Sequence, residues 1–236
     1  MPDTPAYRLL RLMGATGCIR SWRLARTACP DQAAWTGGAC RVQWRQLEQA
    51  GYIMAASSGG APLRWHFRQG RGRPLYELTS AGRDWYRQRC NAEPAQSELP
   101  WVLAHHVSVR HAVAILESRD HLLSMGVPVD DQPPPCPERA TDPWGLRSEP
   151  DLAVYYRERV WPVEVQRDVR MGNLSKWAKS LELFQRLMLV TFCVDRLERQ
   201  RRMLAEARAQ CRLPDYPVLL ASLEGWEDGD RQFLFV

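Results

Sequence analysis

The chain holds two lysines, Lys176 and Lys179, against thirty arginines, and both follow a stretch whose residue types suit phosphoryl chemistry. That stretch is Glu149-Pro150-Asp151, then residues 152–156, then Trp161-Pro162-Val163-Glu164-Val165-Gln166. Two carboxylates, Asp151 and Glu164, on adjacent strands with an ammonium nearby form a Mg²⁺ or Mn²⁺ phosphodiesterase site. Hard oxygen ligands suit such a cation, and a lysine offsets the charge that develops on phosphate. An arginine-rich codon bias also produces lysine scarcity, so the position of the two lysines carries the argument and their rarity does not.

The spacing sets an expected geometry. Asp151 begins one strand and Glu164 lies near the end of the next, with Arg157-Glu158-Arg159 as the turn between them. Strand alternation then brings both carboxylates to one exposed rim, close enough to share a cation, and puts Gln166 on the face of Glu164. Two facing acids repel, so without a cation at least one should have a raised pKa. Gln166 can orient water but carries no charge. The charge is left to Lys176 or Lys179, with Arg167 and Arg170 behind them. The helix that bears the lysines has Leu174, Trp177, Leu181, Phe184 and Met188 as its apolar stripe, from which both lysines point well away; a solvated helix face is their alternative role. Glu117, on the preceding long helix, is either a third metal carboxylate or a surface glutamate. On that helix His106 and His111 are five residues apart, where four would align them on a metal, and His111 falls on the apolar stripe as a core histidine.

The first half has another chemistry. Residues 1–90 carry 14 arginines and 5 acids, a net +9, whereas residues 91–236 carry 18 basic and 22 acidic side chains, a net −4. A compact basic module points to a polyanion, and double-stranded DNA is the expected partner. Arg41, Gln43, Arg45 and Gln46 lie on the less apolar side of a helix, where arginine can pair with guanine edges and glutamine with adenine edges. Arg68, Arg71 and Arg73, in the glycine-rich tip Arg68-Gln-Gly-Arg-Gly-Arg73, reach phosphates or a minor groove. An arginine-rich solvated surface, or a module that binds protein, is the competing reading of this half.

The elements that must position these residues follow from periodicity and punctuation. Before residue 90 the expected order is three helices, two strands and a helix. Tyr7, Leu9, Leu10, Leu12 and Met13 mark the first helix, stopped near Gly14 and Gly17. Ser21 caps the second, and Val42, Leu47 and Ala50 are the periodic positions of the third, which Gly51 ends. Residues 63–67 and 74–78 form a hairpin, and Thr79 and Ser80 cap a helix over 81–89. The polar, proline-containing 91–100 reads as a linker, and 127–148, with Pro133-Pro134-Pro135, as irregular. A long helix over 101–125 follows, then strands 152–156 and 160–166, helix 173–187, strand 188–194, helix 196–211 and strand 218–223. Helices alternating with strands after one hairpin give a mixed sheet covered on both faces.

Composition excludes some classes. With 45% hydrophobic and 25% charged residues the chain has an ordinary globular balance. No apolar run approaches eighteen residues and no signal peptide is recognisable, so membrane partners are not expected. Seven scattered cysteines without a C-x-x-C pair favour free thiols in a reducing cytoplasm.

Several of these stretches resemble known families. Arg41-Val-Gln-Trp-Arg-Gln-Leu-Glu-Gln-Ala-Gly-Tyr-Ile53 and Tyr76-Glu-Leu-Thr-Ser-Ala-Gly82 resemble the recognition helix and wing of bacterial winged-helix regulators. Pro150-Asp151 with Glu164-Val165-Gln166 is similar to the PD-(D/E)xK nuclease core, with Gln166 standing where that family has lysine. Together with Trp101-Val-Leu-Ala-His-His-Val-Ser-Val109, the order resembles the replication-relaxation family of plasmids and other mobile elements. The resemblance implies an α/β protein, α+β overall. Residues 1–90 would be a winged helix-turn-helix and 101–236 a restriction-endonuclease-like α/β/α core with a mixed sheet. It further implies DNA binding linked to plasmid replication or DNA relaxation. The assembly is left open between a homodimer and a larger complex of mobile-element proteins, the latter if the chain is a transposase or restriction subunit that works only with partners. From another class, the rival reading is a non-enzymatic transcriptional or replication regulator whose α/β domain dimerises or binds a partner.

Overall fold

The computed structural model describes residues 4–19, 38–58, 60–65, 73–104, 108–129, 150–166, 173–227 and 233–236. It divides into two compact units, one of described residues up to Val113 and one from Ala114 onward.

In the first unit, α1 (Pro5–Thr16) starts on Thr4, whose hydroxyl accepts a hydrogen bond from Tyr7 N, and stops at Gly17, which takes φ 66°. Proline in the first turn and a left-handed glycine at the end are the expected start and stop signals. α2 (Gly38–Gln49) and α3 (Ser80–Cys90) follow, with the Thr79 hydroxyl accepting from Gly82 N at the start of α3. Between them lie short strands: β1 (Ile53–Ala55), β2 (Ser57–Ser58), β3 (Ala61–Pro62), β4 (Arg64–Trp65), β5 (Arg73–Pro74) and β6 (Tyr76–Leu78). The antiparallel pairs are β1 with β6, β2 with β3 and β4 with β5. Leu9, Leu10, Met13, Trp44, Leu47 and Ile53 form the core. Trp44 stacks on Tyr76 at 4.8 Å between ring centroids.

One register differs from expectation. Trp44 and Leu47 are the buried positions of α2, while Val42 is 47% exposed and Ala50 is exposed. The stripe is rotated because the indole, with its large apolar area, takes the inward place that valine was expected to fill.

The division between units falls within α5 (Val109–Ser124), after a short α4 (Leu99–Ala104). Residues 91–100 are therefore part of the first unit. Ala95 N donates to Gly14 O and Glu98 N to Gly17 O, so backbone bonds tie this stretch to the end of α1.

The second unit is a five-stranded mixed sheet in the order β11-β10-β9-β8-β7, flanked by helices. β7 (Leu152–Tyr156) and β8 (Arg159–Gln166) form an antiparallel hairpin. α6 (Asn173–Phe184) crosses over to β9 (Leu187–Thr191), parallel to β8, and α7 (Val194–Ala209) to β10 (Val218–Ser222), parallel to β9. Parallel neighbours need such helical crossovers. α8 (Leu223–Glu227) and β11 (Leu234–Phe235), antiparallel to β10, complete it. Leu174, Trp177 and Leu181 on α6 pack on Leu187, Leu189, Val218 and Leu220 of the sheet. Among the described residues, no helix is long and apolar enough to cross a membrane.

Candidate functional site

The hairpin register builds the centre of the site. The last ladder pair is Leu152 with Val163, so continuing the register by one residue sets Asp151 against Glu164. Like charges directly opposite in an antiparallel pair are unfavourable, and this position has to be held by something else. Part of the hold is visible: Asp151 Oδ2 accepts a hydrogen bond from Val165 N at 2.7 Å, just before β7 begins.

Glu164 is fully buried, and Asp151 is 8% exposed. The expected exposed rim is thus corrected. β8 is a central strand between β7 and β9, and all six residues from Trp161 to Gln166 are buried. A strand covered on both faces loses the inside–outside alternation that an open hairpin would have.

Burial first, and the Asp151 charge second, push the Glu164 carboxyl up to about 8 against the opposing pull of the Lys176 ammonium. The raised value expected of two facing acids is present, with desolvation as its first cause and repulsion as its second. Lys176 Nζ lies 2.6 Å from Glu164 Oε2.

That contact follows from topology. In the parallel ladder Glu164 pairs with Leu189, which belongs to the core beneath α6. α6 leaves the end of β8 and passes back over it, so its first turns overlie Glu164. Lys176 was expected to point well away from the buried stripe and is 47% exposed, yet its long stem carries the ammonium to Glu164. Lys179, one turn on, is half-buried.

Gln166 Oε1 accepts a hydrogen bond from Asn173 Nδ2 at 2.7 Å, so the first residue of α6 fixes the amide of the last residue of β8. Asn173 was not singled out from the sequence. An asparagine opening a helix reads as a cap, and its partner lies seven positions back in the sequence.

Glu117 is buried on α5, which removes its role as a surface glutamate. Among the described residues it joins no group of three His, Cys, Asp or Glu side chains that could hold a metal. Asp151 and Glu164 still fit a hard cation by donor chemistry, as two facing carboxyl groups, and Glu164 Oε1, unlike the Oε2 that meets Lys176, has no hydrogen-bond donor among the described residues. A separate cavity of about 220 Å³, between α7, β10, α8 and β11, shares none of these residues.

In the first unit, Arg45 and Gln46 are exposed on α2 and Gln43 is half-buried. The side chains of Arg41 and Arg73, and Arg68 and Arg71 altogether, lie outside the described residues, as do His105 and His106. His111, expected in the core, is half-buried.

No protein-family model, curated protein or solved structure matches the chain.

Proposed function

We propose that this chain is a DNA-binding protein of the replication-relaxation type, with a winged helix in its first unit and a PD-(D/E)xK-like, metal-dependent DNA-cleaving site in its second. One observation carries the reading: a buried glutamate at the end of a central strand faces an aspartate at the start of the neighbouring strand, with a lysine ammonium 2.6 Å away. Burying a carboxylate pair is costly, and perturbed, mutually coupled acids concentrate at functional sites. The order of a helix, a hairpin, a crossover helix and two parallel strands agrees with the core that the resemblance implies.

Asp151 and Glu164 would hold Mg²⁺ or Mn²⁺, which supplies Lewis-acid polarisation of a phosphodiester when bound. Lys176, which reaches Glu164 from α6, would take the part of the lysine absent from Glu164-Val165-Gln166 and offset phosphate charge. Asn173 holds Gln166 Oε1, which leaves the Gln166 amide hydrogens to position a water or a phosphate oxygen. For DNA binding, the support is the net charge of +9 over residues 1–90 and the outward Arg45 and Gln46 of α2.

A second reading is favoured by a specific observation: the Lys176 ammonium lies 2.6 Å from Glu164, and no third acid joins the pair among the described residues. On that reading the cluster is structural, and the protein is a non-enzymatic replication or transcription regulator. Incubating the full chain with supercoiled plasmid and Mg²⁺ or Mn²⁺ separates the two. Divalent-dependent nicking that falls about a hundredfold or more in Glu164→Gln and in Lys176→Ala supports the nuclease. DNA binding without any nicking by the wild type replaces it with the regulator.

A further inference from the structure

We infer that Val42 is a base-reading residue that selects thymine through its 5-methyl group. The inference rests on the proposed reading of the first unit as a reader of duplex DNA. Trp44 and Leu47 define the buried side of α2. Arg45, Gln46 and Gln49 lie three, four and seven residues after Val42, and all are exposed. Residues at that spacing share a helix face, so Val42 occupies the middle of the outward side.

A single exposed valine is ordinary on a surface helix; its place at the centre of a face of base-pairing side chains is what points to a role. Valine is a weaker helix former than the straight-chain residues around it, and nothing is gained by exposing it to water. A protein partner would call for a broad apolar patch. Instead the described outward residues after Val42 are Arg45, Gln46, Glu48 and Gln49, all hydrogen-bonding groups. A branched, methyl-bearing side chain among amides and a guanidinium is the set that a major groove uses. Guanine and adenine edges take bidentate donors, cytosine offers a donor, and thymine alone offers a methyl group. The net charge of +9 supplies the phosphate attraction that brings such a face to the groove.

The full chain is first used to select sites from a random duplex library, and each thymine of the selected site is then replaced in turn by uracil. That exchange removes one methyl group and leaves every hydrogen bond in place. One position should show affinity lower by about fourfold, the effect of burying a single methyl-sized group. Val42→Ala, which replaces an exposed helix residue by the best helix former and keeps the fold, should bind the thymine and uracil duplexes equally. A uracil scan that is flat for the wild type overturns the inference while leaving DNA binding intact. A thymine preference that survives in Val42→Ala also overturns it. No selectable, salt-dependent binding to any duplex removes the DNA reading itself, and the inference with it.

Discussion

The two units treat polar groups in opposite ways. Every described polar or charged residue that is buried lies in the second unit: Glu117, Ser118, Arg119, Asp120, His121, Asp151, Glu164, Gln166, Ser180, Thr191, Gln200 and Ser222. The first unit has an apolar and aromatic core, and its described arginines lie at or near the surface. A charge left in water acts over a Debye length and is screened by salt, which suits docking on a polyanion. A charge taken out of water acts on its immediate neighbours and alters their protonation, which suits chemistry at one bond. Function in the first unit should therefore respond to salt, and in the second to pH.

The largest expected effect is the pH dependence of the second unit. Glu164 has a folded pKa of about 8, raised from 4.5, so between those values the folded state binds more protons than the unfolded one. Stability from this group is fully present below the unfolded value and is lost as pH rises through about 8, at no more than about 1.4 kcal/mol per pH unit. Hydrogen exchange of the β9 amides, followed across that window, should show the loss, and Glu164→Gln should flatten it. An equally steep profile in Glu164→Gln would move the buried titration to another residue.

A smaller effect is expected at Lys176, and it should depend on pH. Its ammonium lowers the Glu164 pKa, so Lys176→Met should extend the falling limb to higher pH. Near pH 6, where Glu164 keeps its proton, the substitution should cost little. Near pH 9 it should cost about 1 kcal/mol, limited because the lysine is half exposed. Denaturant melts at the two pH values give the comparison; equal costs at both would mean that Lys176 contributes packing alone.

Smallest in stability, and opposite in kind, is Arg45→Ala. An exposed side chain on α2 should change unfolding by less than about 0.5 kcal/mol. The salt dependence of DNA affinity should nevertheless lose a slope of roughly 0.9 if Arg45 meets one phosphate, and keep its slope while losing sequence preference if it meets a base. A salt titration against a selected and a scrambled duplex reads both.

The same contrast explains what the sequence disclosed. The second unit alternates strongly periodic helices with apolar strands, so α6, β9, α7 and β10 lie within a few residues of their expected bounds. β11, two residues long, carried too little pattern to be recognised. Asp151, Glu164 and Lys176, which the structure brings together, were picked out because carboxylates beside apolar strands with a lysine just downstream are unusual. Their burial was not, since whether a hairpin is open or flanked depends on β9, whose pairing no local pattern records. The Asn173–Gln166 bond was hidden for the same reason. In α2, Val42 and Trp44 were both candidates for the inward side, and only packing against Tyr76 decides between them.

The central claim is that the buried Asp151–Glu164 pair is an acid site for a cation and not a structural ion pair with Lys176. Thermal melting of the full chain at pH 8, with and without Mn²⁺, tests it directly, because a ligand that binds only the folded state raises stability by about 2.7 kcal/mol at one hundred times its dissociation constant. Asp151→Asn keeps an oxygen to accept from Val165 N and removes the charge. The account predicts a Mn²⁺-dependent rise in Tm for the wild type that is lost in Asp151→Asn. A wild-type melt that Mn²⁺ leaves unmoved, or an equal rise in Asp151→Asn, would contradict it.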